Sequence, residues 1–99
     1  MKKWTLEQYV HLFKAHAPLK KSVILRVKTL PDGDLGHAKE TNKRFIITIE
    51  SNQPLWIQKE SLMEEWAHCL AGWDGDRQHT SEWGIEYARL KRIVFDEKE

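Results

Sequence analysis

The chain predicts an α+β domain: an N-terminal helix, three strands in an antiparallel or mixed sheet, then two helices. Three observations carry this. Apolar residues recur at helical spacing near the N-terminus and twice more after Pro54. Residues 23–28 and 45–49 alternate with the two-residue period of half-buried strands. Turn residues fall between these stretches and not within them. A length of 99 residues suits one compact domain, and no repeat, low-complexity segment or composition shift divides it. Residues 1–99 are therefore expected to form a single unit.

Each element has its own signal. Thr5-Leu6-Glu7-Gln8 has the form of a capping box, with a hydroxyl at the N-cap and Gln at N3. Leu6, Tyr9, Val10, Phe13 and Ala17 continue it as one apolar stripe, and Pro18 stops it. Val23, Leu25 and Val27 then alternate with Ile24, Arg26 and Lys28, the period of a strand with one face buried. Pro31-Asp32-Gly33-Asp34 is turn chemistry. A short strand is expected from His37 to Thr41, a turn near Asn42-Lys43, and the strongest strand through Phe45, Ile47 and Ile49. Pro54 fits the first position of a helix that ends near Ala71 and Gly72. Thr80 or Ser81 can cap the last helix, whose stripe is Trp83, Tyr87, Leu90 and Val94. Phe45, Ile47, Ile49, Trp66, Leu70, Trp83, Tyr87 and Leu90 are expected to converge in one core.

Composition narrows the class. Apolar residues are 40% and charged residues 31%, which suits a globular chain. No apolar run approaches the roughly 20 residues of a membrane-spanning helix, and Met1-Lys2-Lys3-Trp4 leads into a polar helix rather than an apolar leader. The single Cys69 excludes an internal disulfide and a Cys-based zinc knuckle. The expected setting is cytoplasmic. Net charge is +1, yet residues 1–49 carry ten Lys/Arg against four Asp/Glu, and residues 50–99 carry six against eleven. A basic half can attract nucleic acid or acidic protein segments. The Lys residues are scattered along the chain, so mutual neutralisation of the halves is the expectation, with weak nucleic-acid association as the alternative.

The chemistry concentrates in Glu64-Glu65-Trp66-Ala67-His68, followed by His79. At about 100° per residue, Leu62, Trp66, Cys69, Leu70 and Trp73 form the core face, and Glu64, Glu65 and His68 share an adjacent arc. Glu64 and His68 are four apart and stand one above the other. Ala67 and Ala71 leave that flank open. An antiparallel helix pair can bring His68 and His79 together, and His79, Glu82 and Glu86 would share the facing flank. Carboxylates and imidazoles gathered this way suit a metal.

On these residues the stretch 62–95 resembles the small SprT-like zincins, in particular short phage and prophage metallopeptidase-like proteins. Their active-site helix carries His-Glu-Trp-Ala-His, and a third His precedes an aromatic-Gly helix start. Here the counterparts are Glu64-Glu65-Trp66-Ala67-His68, then His79-Thr80-Ser81-Glu82-Trp83-Gly84, then Tyr87-Ala88-Arg89. Residues 45–50 also resemble the strand that precedes this helix and aligns an extended peptide. The resemblance implies a minimal zincin-like fold, a phage or bacterial origin with a cytoplasmic setting, and zinc held by His68, His79 and Glu64. It implies Glu65 as the general base of peptide-bond hydrolysis and a protein or peptide as substrate. Glu64 stands where the family has its first His. A carboxylate is a legitimate zinc ligand, and two His with one Glu is an established catalytic set. The competing expectation is a degenerate zincin scaffold that binds a protein, in the manner of a phage effector.

The remaining residues read more simply. His11 and His16 are expected at the surface and His37 as structural. Asp74 and Asp76 resemble half a calcium loop, but the full ligand pattern is absent. Cys69 falls on the core face and is expected to be inert.

Overall fold

The computed structural model describes residues 4–72 and 80–98. Its elements are α1 (Leu6–His16), β1 (Ser22–Lys28), a 3-10 turn (Pro31–Gly33), β2 (Gly36–Glu40), β3 (Arg44–Glu50), α2 (Leu55–Ala71) and α3 (Ser81–Lys98). The expected α+β order is observed.

The helix boundaries follow their local chemistry. At α1 the Thr5 hydroxyl accepts from the Gln8 amide at 3.2 Å, and the Gln8 side chain accepts from the Thr5 amide at 2.7 Å. Two amides that the helix itself cannot satisfy are thereby paired. Pro54 is the N-cap of α2 rather than its first helical residue, because its ψ of 156° is extended. The Thr80 hydroxyl accepts from the Trp83 amide at 3.1 Å and so caps α3.

The sheet is mixed, in the order β1-β3-β2. β1 runs parallel to β3, with Val23 opposite Phe45 and Leu25 opposite Ile47. β2 runs antiparallel to β3, with Ala38 opposite Ile47. β3 is therefore central, and this corrects the expectation that residues 45–50 align a peptide. Both of its edges are already hydrogen-bonded, so an extended chain has no backbone groups to pair with there. The free edges belong to β1 and β2.

Phe45, Ile47 and Ile49 turn one face of β3 onto the helices, where they meet Phe13, Leu62, Met63, Trp66 and Leu90 in a continuous buried core. The Trp66 indole N–H donates to the Ala17 carbonyl at 2.9 Å and ties the middle of α2 to the end of α1. Of the expected core set, Leu70, Trp83 and Tyr87 are only partly buried, at the margin where α3 meets α2. Val27 of β1 is 47% exposed. It sits on an edge strand, beside a groove bordered by Thr5, Leu6 and Glu7 rather than under a helix. Gly36 lets β2 approach closely: a side chain there would meet the Thr48 carbonyl at 3.2 Å and the Ser61 Cβ of α2 at 3.4 Å.

The opposite face of the sheet carries Ile24, Arg26 and Lys28 of β1, Ile46 and Thr48 of β3, and His37 and Lys39 of β2. His37 is exposed there rather than built into the core. At one end of the sheet the Glu50 carboxylate accepts from the Leu30 amide at 2.6 Å and the Asn52 amide at 2.8 Å. These two bonds hold its pKa below the usual carboxylate value. Among the described residues no helix is long and apolar enough to cross a membrane.

Candidate functional site

The C-terminal half of α2 faces two neighbours, and its charged residues divide between them. α3 runs antiparallel to α2. The Trp83 indole N–H donates to the Glu64 carbonyl at 3.1 Å, and one turn on the Tyr87 hydroxyl donates to the Glu60 carboxylate at 2.6 Å. Trp83 and Tyr87 stack with ring centroids 4.9 Å apart and planes at 9°. The Lys91 ammonium continues the column, 5.4 Å from the Tyr87 ring centre and 3.9 Å from Glu60. At the other end His68 lies 5.7 Å from Trp83, ring to ring, and is 5% exposed. The expected antiparallel pairing is thus built from an aromatic column on α3 lying along Glu60, Glu64 and His68 of α2.

Glu65 lies one step, about 100°, around the helix from Glu64. Ser61, one turn earlier on the same side, approaches β2 at Gly36, so Glu65 occupies the flank between α2 and β2. Partial burial, and after it the negative charge of Glu64, together raise its carboxyl pKa to about 7. Cys69, one turn on, is pushed up to about 12, first by burial and then by the charges of Glu65 and of Glu40 on β2. It is a buried, protonated thiol at neutral pH, in line with the expected inert role. Tyr87 is likewise raised, by burial and by its bond to Glu60, so it remains a hydrogen-bond donor.

Glu60 and Glu64 differ in what surrounds them. Glu60 has the Tyr87 hydroxyl and the Lys59 and Lys91 ammonium groups. Among the described residues neither Glu64 nor Glu65 forms an ion pair. Of the two, Glu65 is the one whose burial beside a like charge makes it hold its proton more tightly than a water-exposed acid does.

Three of the four residues expected at the site therefore lie together on α2: Glu64 and His68 toward α3, and Glu65 toward β2. His79, with Trp73, Asp74 and Asp76, lies outside the described residues. Among the described residues no group of three potential donors converges on one point. Glu64 and His68, one helical turn apart, fit two positions of a zinc donor set, and the third donor would have to come from beyond Gly72. His11 and His16 are exposed, as expected, and His16 Nε2 lies 3.3 Å from Glu97. Glu82 is exposed and Glu86 meets Arg89 at 3.4 Å.

The Glu60–Tyr87–Lys91 group was not foreseen from the sequence. Its signal was present: Glu60 precedes Glu64 by one turn, and Trp83, Tyr87 and Lys91 recur every four residues. No family model, curated protein or solved structure matches this chain.

α2 ends where Gly72 adopts φ 82° and ψ 177°, a conformation accessible essentially to glycine alone. Its amide donates to the His68 carbonyl at 2.8 Å, so the stop of the helix is fixed next to the site. Gly72→Ala should destabilise the protein by about 1–3 kcal/mol, read as a lower urea midpoint with unchanged slope.

Proposed function

We propose that the protein is a zinc-dependent, zincin-like metallopeptidase in which Glu65 is the general base. The observation that carries this reading is Glu65 itself: partly buried, beside Glu64 and one turn from His68, and poised to exchange a proton near neutral pH. A general base works best with a pKa close to the working pH. Zinc held by His68, Glu64 and His79 would supply Lewis acidity and a more acidic bound water.

In that reading Glu65 accepts the proton of the attacking water and returns it to the leaving amine. The free edge of β2 lies along the Glu65 side of α2 and supplies backbone groups to an extended peptide, the part the sequence had assigned to residues 45–50. Glu64 adds a negative charge that imidazole would not, which weakens the acidification of bound water.

The position of His79 in the chain supports the ligand set. It immediately precedes Thr80, which caps α3, and Trp83 in the first turn of α3 packs on His68. The test is zinc content of protein purified without a histidine tag. Wild type should retain about one zinc, and His68→Ala and His79→Ala should each lower affinity by about tenfold or more. Glu64→His should retain zinc and raise peptidase activity on casein-like or DNA-bound protein substrates.

The burial of His68 against Trp83 favours a second reading, in which the imidazole is a packing element of a zincin-like scaffold that binds a protein partner. Wild-type protein free of zinc, with Glu64→His binding zinc and remaining inactive, would select that reading.

A further inference from the structure

Four of the ten lysines and arginines in residues 1–49 gather on one face of the sheet. β1 pairs in parallel with β3, which brings Arg26 beside Thr48 and Ser22 beside Arg44. β2 pairs antiparallel on the other side, which brings Lys39 beside Ile46 and His37 beside Thr48. Because side chains alternate along a strand, Arg26, Lys28, Lys39 and Arg44 all project from the sheet face opposite the helices. All four are exposed, and among the described residues none of them forms an ion pair.

The strands contribute one acid to this face. It is Glu50, only 6% exposed, with its carboxylate turned into the Leu30 and Asn52 amides at the sheet's end. Glu40, the other acid of β2, has the opposite alternation and pairs with Lys21 at 2.7 Å. The centre of the face is Ile24, Ile46 and Thr48, and the strands place no Phe, Tyr or Trp on it.

We propose that this face docks on the phosphate backbone of duplex DNA, without reading sequence. The charge is complementary and nearly unopposed. Arg44 and Lys28 are separated by six register steps, about 20 Å along the strands, and three strands make the face about 10 Å wide. Over about 20 Å a duplex carries about a dozen phosphate charges, one per about 1.7 Å. Guanidinium groups at Arg26 and Arg44 suit two phosphate oxygens each, and the two lysines act as point charges. Single-stranded nucleic acid is disfavoured because its recognition uses successive aromatic platforms for unstacked bases, and the strands of this face offer only the single His37 imidazole. A short acidic peptide presents a lower charge density than a duplex and pays more entropy to be held straight. This surface is separate from the α2 flank, so it stands or falls independently of the peptidase reading.

The experiment is fluorescence anisotropy of the full chain with a labelled duplex of arbitrary sequence, about 25 base pairs long, over 50–200 mM salt. With three to four cations engaged, log affinity should fall with log salt at a slope of about −3, an affinity loss of about 50- to 150-fold across that range. The double variant Arg26→Ala, Lys39→Ala should reduce the steepness by about 2 and weaken binding at 50 mM by about tenfold or more. Lys14→Ala and Arg92→Ala, away from the face, should each leave the slope within about 0.3 of wild type. Circular dichroism should be unchanged in every variant, since each residue is exposed. The proposal is overturned by an absence of duplex binding at 50 mM, by a double variant that binds like wild type, or by tighter binding to single-stranded DNA. A polyglutamate peptide bound as tightly as the duplex would also overturn it, in favour of an acidic protein partner.

Discussion

On the proposed peptidase reading, Glu65→Gln should lower peptide hydrolysis by about 10²- to 10⁴-fold while leaving zinc content nearly unchanged, because the amide keeps the shape of the side chain and loses its ability to accept a proton. The same substitution has a second readout that needs no substrate. In metal-free protein the Glu65 carboxyl titrates near pH 7, against 4.5 for an unperturbed group. Between those values the folded chain holds a proton that the unfolded chain has released. Its contribution to stability is therefore complete below pH 4.5, is lost as pH rises to about 7, and is absent above. The full shift would correspond to about 3 kcal/mol, and residual solvent contact reduces that to roughly 1–2 kcal/mol. Denaturant midpoints measured with a chelator present should decline over that window in wild type and stay level in Glu65→Gln. Glu50, with its lowered pKa, acts in the opposite sense at more acidic pH, so the two limbs are separable. A flat wild-type profile between pH 4.5 and 7 would show that Glu65 is solvated and unsuited to the role of base.

How much of this was legible depends on the range of the interaction. Capping at Thr5 and the end of α2 at Gly72 were readable, and the cap of α3 was narrowed to Thr80 or Ser81, because each is decided within four residues. The strand order was not. β1 lies parallel to β3 across the central position, and nothing in the alternation of residues 23–28 distinguishes a parallel partner from an antiparallel one. That single fact moved the free edge from residues 45–50 to β2, and it gathered Arg26, Lys28, Lys39 and Arg44 onto one face. Thr48 and Glu50 are almost wholly buried although they belong to the outer face: Thr48 lies in register between Arg26 and His37, and Glu50 turns its carboxylate into the Leu30 and Asn52 amides. At the site, helical spacing correctly grouped Glu64 and His68 on one flank. It could not separate Glu64 from Glu65, because the division depends on which neighbour, α3 or β2, stands on each side of α2.

Trp66 is the residue whose loss should damage the molecule most. Its side chain is fully buried, its ring lies 5.6 Å from Phe13, and its N–H satisfies the Ala17 carbonyl at the end of α1. Trp66→Ala removes the largest buried side chain of α2 and should cost about 3–5 kcal/mol. A domain of this size has about 5–15 kcal/mol in total, and at about 4–8 °C per kcal/mol the Tm should fall by roughly 12–40 °C. Trp66→Phe keeps most of the ring volume and leaves the Ala17 carbonyl without its donor, for a cost of about 1–3 kcal/mol. Trp56, 65% exposed in the first turn of α2, provides the contrast, and Trp56→Ala should change stability by less than about 0.5 kcal/mol. The order Ala below Phe below wild type at position 66 would locate the packing and the hydrogen bond as separate contributions. Equal Tm values for Trp66→Ala and Trp56→Ala would mean that α2 does not pack on α1 through this side chain. Trp66 follows Glu65 directly in the chain. The rotational setting of α2 that the indole fixes is therefore the same setting that keeps Glu65 on the β2 side and Glu64 with His68 on the α3 side. Trp66→Phe, if it loosens that setting without unfolding the chain, should bring the Glu65 titration closer to the ordinary carboxylate range.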